Sequence, residues 1–215
     1  HNLARDYFNN GGEALILDEI HKYPNWTQEL KNTVDTFRTQ KILISGSSAV
    51  AFTKGIGDLS RRIAQYHLPG MSFREFINLE KGTRFEIITL DQLVKNHVQI
   101  AESIQRQVAL LPLFKEYLMY GHYPFYREGK RSFSNKLSAV VEKVISEDIP
   151  AVYALSPGKI YVLRKMLWLV ASSPPFEPNI EGIARDLGQS KEYTYRYFDY
   201  LRAAGLIEFL RASDK

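Results

Sequence analysis

The sequence has no cysteine, so disulfides and thiolate metal sites are excluded. That absence is compatible with a reducing cytoplasm, the expected location, where disulfides are rare. Long hydrophobic runs are also missing. The most apolar stretch, 160–171, is broken by Arg164 and Lys165 and is well short of the ~20 residues a bilayer crossing needs, so no membrane span is expected. The five histidines (His1, His21, His67, His97, His122) are scattered, with no pair at helical spacing and no zinc pattern. No nucleophile elbow and no Ser-His-Asp order appear. Internal repeats and low-complexity tracts are absent as well. Charge of one sign is only slightly in excess: the net charge is +4 with a pI near 9.1, which permits a nucleic-acid partner without requiring one.

What is present is an ordinary globular balance, 45% hydrophobic and 24% charged over 215 residues, enough for one large domain or two small ones. The chain opens on His1 rather than Met, inside a predicted helix, and reads as a longer protein cut short there.

The pattern changes along the chain. A helix ends over 3–8 and is stopped by Asn9-Asn10-Gly11-Gly12. Ala14-Leu15-Ile16-Leu17 is a continuous apolar run ending in Asp18-Glu19, which suits a strand buried on both faces of a parallel sheet. Trp26, Leu30, Val34 and Phe37 recur at helical spacing, and Ile42-Leu43-Ile44 gives a second strand ending in Ser45-Gly46-Ser47-Ser48. A third strand is expected over 63–68, closed by Pro69-Gly70. Strand, crossover helix, strand, strand is α/β grammar.

Beyond Ser72 the segments read as helices: 73–79, 90–106, 113–120, a stripe of Leu137, Val140, Val141, Val144 and Ile145, and then 160–171, expected to be buried all round. Ser172-Ser173-Pro174-Pro175 is the clearest linker. In the tail, Ile180, Ile183, Ala184 and Leu187 line one helix, Ser190 N-caps a second ending at Gly205, and 206–210 reads as a strand. Helix, turn, helix, strand is a winged helix-turn-helix pattern. The expected division is 1–76, 77–173 and 174–215.

Asp18-Glu19 carries the strongest chemical signal, two carboxylates at the carboxyl end of a buried strand, the edge where open α/β sheets bind ligands. The strings Leu17-Asp18-Glu19-Ile20-His21-Lys22-Tyr23-Pro24-Asn25-Trp26, Leu43-Ile44-Ser45-Gly46-Ser47-Ser48-Ala49, Leu59-Ser60-Arg61-Arg62 and Leu68-Pro69-Gly70-Met71-Ser72-Phe73-Arg74-Glu75-Phe76 together resemble one family in order and spacing. These are the prokaryotic AAA+-type ATPases that carry a C-terminal domain of unknown function. Weaker similarity continues through Tyr120-Gly121-His122-Tyr123-Pro124 and Glu147-Asp148-Ile149 into the tail.

The resemblance implies a partial P-loop NTPase (AAA+-like) parallel sheet, followed by a helical region and a C-terminal winged helix. It implies ATP and Mg²⁺ as ligands. Asp18 would hold Mg²⁺ through water, Glu19 would orient the attacking water, Ser47 would be the sensor on the next strand, and Arg62 a phosphate-sensing arginine. The family usually has Gly-Arg where this chain has Arg61-Arg62. The family's phosphate loop, G-x-x-x-x-G-K-[ST], is absent: Gly129-Lys130 is followed by Arg131 and Gly158-Lys159 by Ile160. It is expected ahead of His1, so the chain alone is expected to be inactive. Lys191, Tyr193, Tyr195, Arg196, Tyr197, Tyr200 and Arg202 leave the tail open to a DNA or protein partner, although Glu192 and Asp199 interrupt the charge. Homo-oligomerisation is left open, and so is a second reading: a non-enzymatic winged-helix regulator on an inactive ATPase scaffold.

Overall fold

The computed structural model describes residues 2–46 and 59–210, and divides the chain into two compact units: 1–65 with 139–215, and 66–138. The described residues are mostly helical, with one small parallel sheet among them.

The first unit opens with helix α1 (Asn2–Asn9), whose Ala4 and Phe8 lie one turn apart and are buried against Leu15. The chain then turns at Gly11, where φ is +87°. Gly12 passes beneath the Tyr7 ring, and a Cβ there would sit 2.2 Å from it. The Tyr7 hydroxyl donates to the Ala14 carbonyl at 2.9 Å, fixing the entry to strand β1 (Ala14–Leu17). A crossover through helix α2 (Trp26–Thr36) leads to strand β2 (Lys41–Ile44), which pairs with β1 in parallel, Ala14 opposite Lys41 through Leu17 opposite Ile44. Side chains alternate across a strand. Leu15, Leu17, Ile42 and Ile44 therefore share one face, under α1 and α2, where Trp26, Leu30 and Leu59 are buried.

Two expectations fail here. β1 is not buried on both faces, since Ile16 and Leu43, which point the other way, are 67% and 62% exposed. Residues 63–68 form no strand: Ile63 packs beside Leu59, but Tyr66 and Leu68 are exposed, and the segment crosses the division between the units. A strand needs a neighbouring edge to satisfy its N–H and C=O groups, and among the described residues β1 and β2 pair only with each other.

The later part of this unit is helical. Helix α6 (Lys130–Lys143), which begins in the other unit, continues through a wide turn, 144–148, into α7 (Ile149–Tyr153). Then follow α8 (Pro157–Ala171), α9 (Ile180–Leu187) and α10 (Lys191–Ala203). Ile145, Ile149, Leu163, Met166, Phe198 and Leu201 form their common core. Helix α8 is not buried all round, since Tyr161 and Trp168 are exposed. In the tail, Gly188 takes the left-handed C-cap and the Ser190 hydroxyl accepts from the Tyr193 N–H, so the helix-turn-helix forms as the sequence indicates. The expected wing strand does not: 206–210 is irregular and finds no strand to pair with among the described residues.

The second unit holds α3 (Phe73–Lys81), α4 (Leu90–Gln105) and α5 (Leu110–Glu116), with a wide turn over 117–121. Ser72 and Glu75 close a reciprocal cap on α3. Two strings 46 residues apart meet here: the Tyr117 hydroxyl donates to the Met71 carbonyl at 2.8 Å, and the Met71 N–H donates to the His122 carbonyl at 2.8 Å. Gly70 lies against the His122 imidazole, where a Cβ would come within 2.1 Å of the ring.

Candidate functional site

Parallel pairing brings the carboxyl ends of β1 and β2 to one edge, and the register decides which residues meet there. Leu17 is opposite Ile44, so the next residues on each strand, Asp18 and Ser45, are neighbours. The Ser45 hydroxyl donates to the Asp18 carboxylate. Backbone bonds hold the two chains together past the strands: the Ser45 N–H donates to the Leu17 carbonyl at 2.9 Å, and the Ile20 N–H to the Ser45 carbonyl at 3.3 Å. Both residues are exposed, on an edge that opens to solvent.

Glu19 follows in the left-handed region, at φ 53° and ψ 35°. A non-glycine residue there carries strain, and such outliers gather at functional sites. The turn redirects the chain into a single 3₁₀ turn, Ile20–Lys22. Its carboxylate takes the Lys22 ammonium at 2.8 Å and lies 3.9 Å from the His21 Nε2. The Glu19 hydrogen bond and charge raise the Lys22 ammonium above its ordinary value, and Asp148 and Asp18 add smaller contributions of the same sign. Asp148, from the wide turn before α7, is thus within electrostatic reach of this edge.

An open cavity of about 1030 Å³ adjoins the edge, lined by Asp18, Glu19, Lys22 and Tyr23 and by residues of α1 and α2. Arg62 lies against α2, its Nε 2.8 Å from the carboxylate of Asp35 on that helix. That guanidinium holds the Asp35 carboxyl below its usual range. Ser47 lies outside the described residues; of the expected set, Asp18 and Glu19 stand at this edge, with Ser45 beside Asp18.

Ser45, Lys22, Asp35 and Asp148 had no role in the sequence reading. Register alone could have found Ser45, because it follows β2 as Asp18 follows β1. Lys22 stands three residues from Glu19, a spacing that pairs side chains within one turn. Asp148 falls in the weakly similar string Glu147-Asp148-Ile149 without an assigned role, and nothing in the sequence marks Asp35.

The donor set suits a hard cation. Mg²⁺ takes oxygen ligands, keeps several waters, and is held by one or two carboxylates. Asp18 offers one carboxylate, oriented from behind by a hydroxyl. Among the described residues no cluster of three or more His, Cys, Asp or Glu could enclose a metal.

An acidic edge at the carboxyl ends of two parallel strands is consistent with a partial α/β P-loop-like fold. A family model described as an AAA domain matches residues 1–77, the segment containing this edge. An uncharacterized protein of Methanocaldococcus jannaschii is 27% identical over 197 residues, which cover 90% of this chain and 41% of that protein. The chain therefore spans about two fifths of the length of that curated relative. No solved structure matches it. Among the described residues no helix is long and apolar enough to cross a membrane.

Proposed function

We propose that this chain contributes the acid-bearing half of the nucleotide site of an AAA+-type ATPase, with ATP and Mg²⁺ as ligands and the phosphate loop supplied by residues outside these 215. The observation that carries the reading is the hydrogen bond from Ser45 to Asp18 at the carboxyl ends of two parallel strands. Asp18 holds the hydrated cation, and Ser45 fixes the carboxylate that does so. Glu19 orients water and accepts its proton. Lys22, bonded to Glu19, sets the direction of that carboxylate. Ser47 is assigned the sensor role on the second strand. Arg62 is assigned phosphate sensing, which requires it to exchange Asp35 for phosphate. Mg²⁺, when bound, would supply charge neutralisation for phosphoryl transfer.

In the longer protein, Glu19→Gln is expected to retain ATP binding and lose turnover by about a hundredfold or more, the scale of a positioned base. Asp18→Asn is expected to weaken Mg²⁺-dependent binding. Near-normal turnover in Glu19→Gln would remove Glu19 from the mechanism. The 215-residue chain alone is expected to show no micromolar affinity for Mg²⁺-ATP by calorimetry. Such affinity needs about 8 kcal/mol, which two carboxylates without phosphate-loop donors cannot supply. Micromolar binding would mean that the phosphate site has been misplaced.

One observation favours the regulator reading. The α9–α10 pair exposes Tyr193 and Tyr195. Two of its cations are already paired, Lys191 with Glu181 and Arg196 with Glu192. DNA affinity rests on cations available to phosphate, so this face suits a protein partner better than a duplex.

A further inference from the structure

Asp148 is a charged group in an apolar setting, and it is poorly paired. It ends the wide turn 144–148, where the helix loosens to π geometry between α6 and α7. Such widenings gather at functional sites. Ile145 and Ile149, within and just after the turn, are buried in the core shared by α8 and α10. The Asp148 side chain is itself only 14% exposed. Carboxylates are seldom that buried without a paired charge. Among the described residues its one ion pair is with Lys143 at 4.0 Å, the outer limit of such a contact.

Lys22 is the second cation within its reach, and both residues belong to the first unit. The Lys22 ammonium is raised above its ordinary value chiefly by the hydrogen bond to Glu19, yet Asp148 adds more to this than Asp18 does. A charge acts more strongly the nearer and the less hydrated it is. Asp148 is thus a stronger neighbour of Lys22 than Asp18, which stands on the same edge. Lys22 answers to two carboxylates, Glu19 at the ligand edge and Asp148 on the helical turn. It is otherwise loosely held, since its side chain is 61% exposed on a flexible stem, and an exposed pair such as Glu19–Lys22 is weak by itself. A second carboxylate narrows the positions open to the ammonium, and so the directions open to Glu19.

We propose that Asp148 is a positioning residue of the nucleotide site, which restrains the Lys22 ammonium and, through it, the Glu19 carboxylate. This rests on the ATPase reading, in which Glu19 orients the attacking water. Neither Asp148 nor Lys22 touches the nucleotide in this role, so the loss of either lowers kcat and spares KM. The turn that carries Asp148 is anchored by Ile145 and Ile149 in the core of α8 and α10. The arrangement therefore ties the ligand edge to the helical tail.

The first measurement needs no nucleotide. In the 215-residue chain with isotopically labelled dimethyl-lysines, the Lys22 signal, assigned by its loss in Lys22→Arg, is titrated by NMR. Asp148→Asn is expected to lower its midpoint, and Glu19→Gln to lower it further, because each removes a carboxylate that favours the charged ammonium. An unmoved midpoint in Asp148→Asn overturns the proposal whatever the nucleotide chemistry. The second measurement is steady-state turnover in the longer protein. Asp148→Asn and Lys22→Met are each expected to lower kcat roughly 1.5- to fivefold, the worth of one exposed ion pair, with KM for ATP unchanged. In the double variant the losses are expected not to multiply, because both break one chain of contacts. Asp148→Glu, which keeps the charge, is expected to stay nearer the wild type than Asp148→Asn in both measurements, and the reverse order overturns the proposal. So do losses that multiply, or a KM that rises as kcat falls, since either marks Asp148 as structural. Turnover indifferent to Glu19→Gln sinks the ATPase reading and the proposal with it. Turnover lost in Glu19→Gln but at the wild-type kcat in Asp148→Asn overturns the proposal alone.

Discussion

The two faces of the small sheet are predicted to respond very differently to the same truncation. Leu30, on α2, is 2% exposed and packs with Trp26 and Leu59 against Ile42 and Ile44. Leu30→Ala removes three buried carbons, roughly 2.4 kcal/mol at ~0.8 each. The cavity left behind raises the cost to about 3 kcal/mol. Leu43, on the opposite face, is 62% exposed. Its truncation forfeits only about a third of the transfer term and opens no cavity, so it should cost below about 1 kcal/mol. The protein offers a local probe, since its two tryptophans are Trp26, buried beside Leu30, and Trp168, which is 72% exposed. Urea unfolding followed by Trp26 fluorescence in a Trp168→Phe background reads the sheet and its helical cover. Equal losses for Leu30→Ala and Leu43→Ala would refute the one-sided sheet. A loss below about 1 kcal/mol for Leu30→Ala would refute α2 as its cover.

Gly70→Ala should destabilise by about 1–3 kcal/mol, the range for overpacking, because its Cβ would fall 2.1 Å from the His122 ring. His122→Ala in the same chain should recover most of that loss in thermal unfolding. The Tyr126 hydroxyl, buried and 2.5 Å from Glu80, is pushed above its ordinary value first by burial and then by that carboxylate. A raised acid contributes stability that is complete below the unfolded value near 10 and fades as pH climbs above it. Denaturant midpoints should therefore fall above about pH 10 in the wild type and much less in Tyr126→Phe. Equal slopes would remove Tyr126 as the titrating group.

Local signals carried the sequence reading where one segment specifies its own structure. The N-cap at Ser190 is short-range chemistry, and it appears as read. The run Ala14–Leu17 and its partner 42–44 also pair as expected, because a single crossover helix links them. The failures share one cause. The segments 63–68 and 206–210 have strand-like composition, but a strand exists only against another edge, and no local pattern supplies that edge. Burial of β1 on both faces failed for a similar reason, since an apolar run records what a strand can bury, and its neighbours decide what it does bury.

The candidate site divides along the same line. Asp18 was legible as the acid that ends a strand. The partner at its side was not, because choosing between Ser45 and Ser47 depends on register. Register is set by pairing: with Leu17 opposite Ile44, the first residue past each strand must meet its counterpart. Shifting the pairing by one residue would turn Leu15 and Leu17 to the open face and Ile16 inward. The buried contacts of Leu15 with Ala4 and Phe8 hold the register in place. The apolar packing beneath the sheet is therefore what sets Ser45 against Asp18, and the polar contact at the ligand edge is fixed by residues that never touch it.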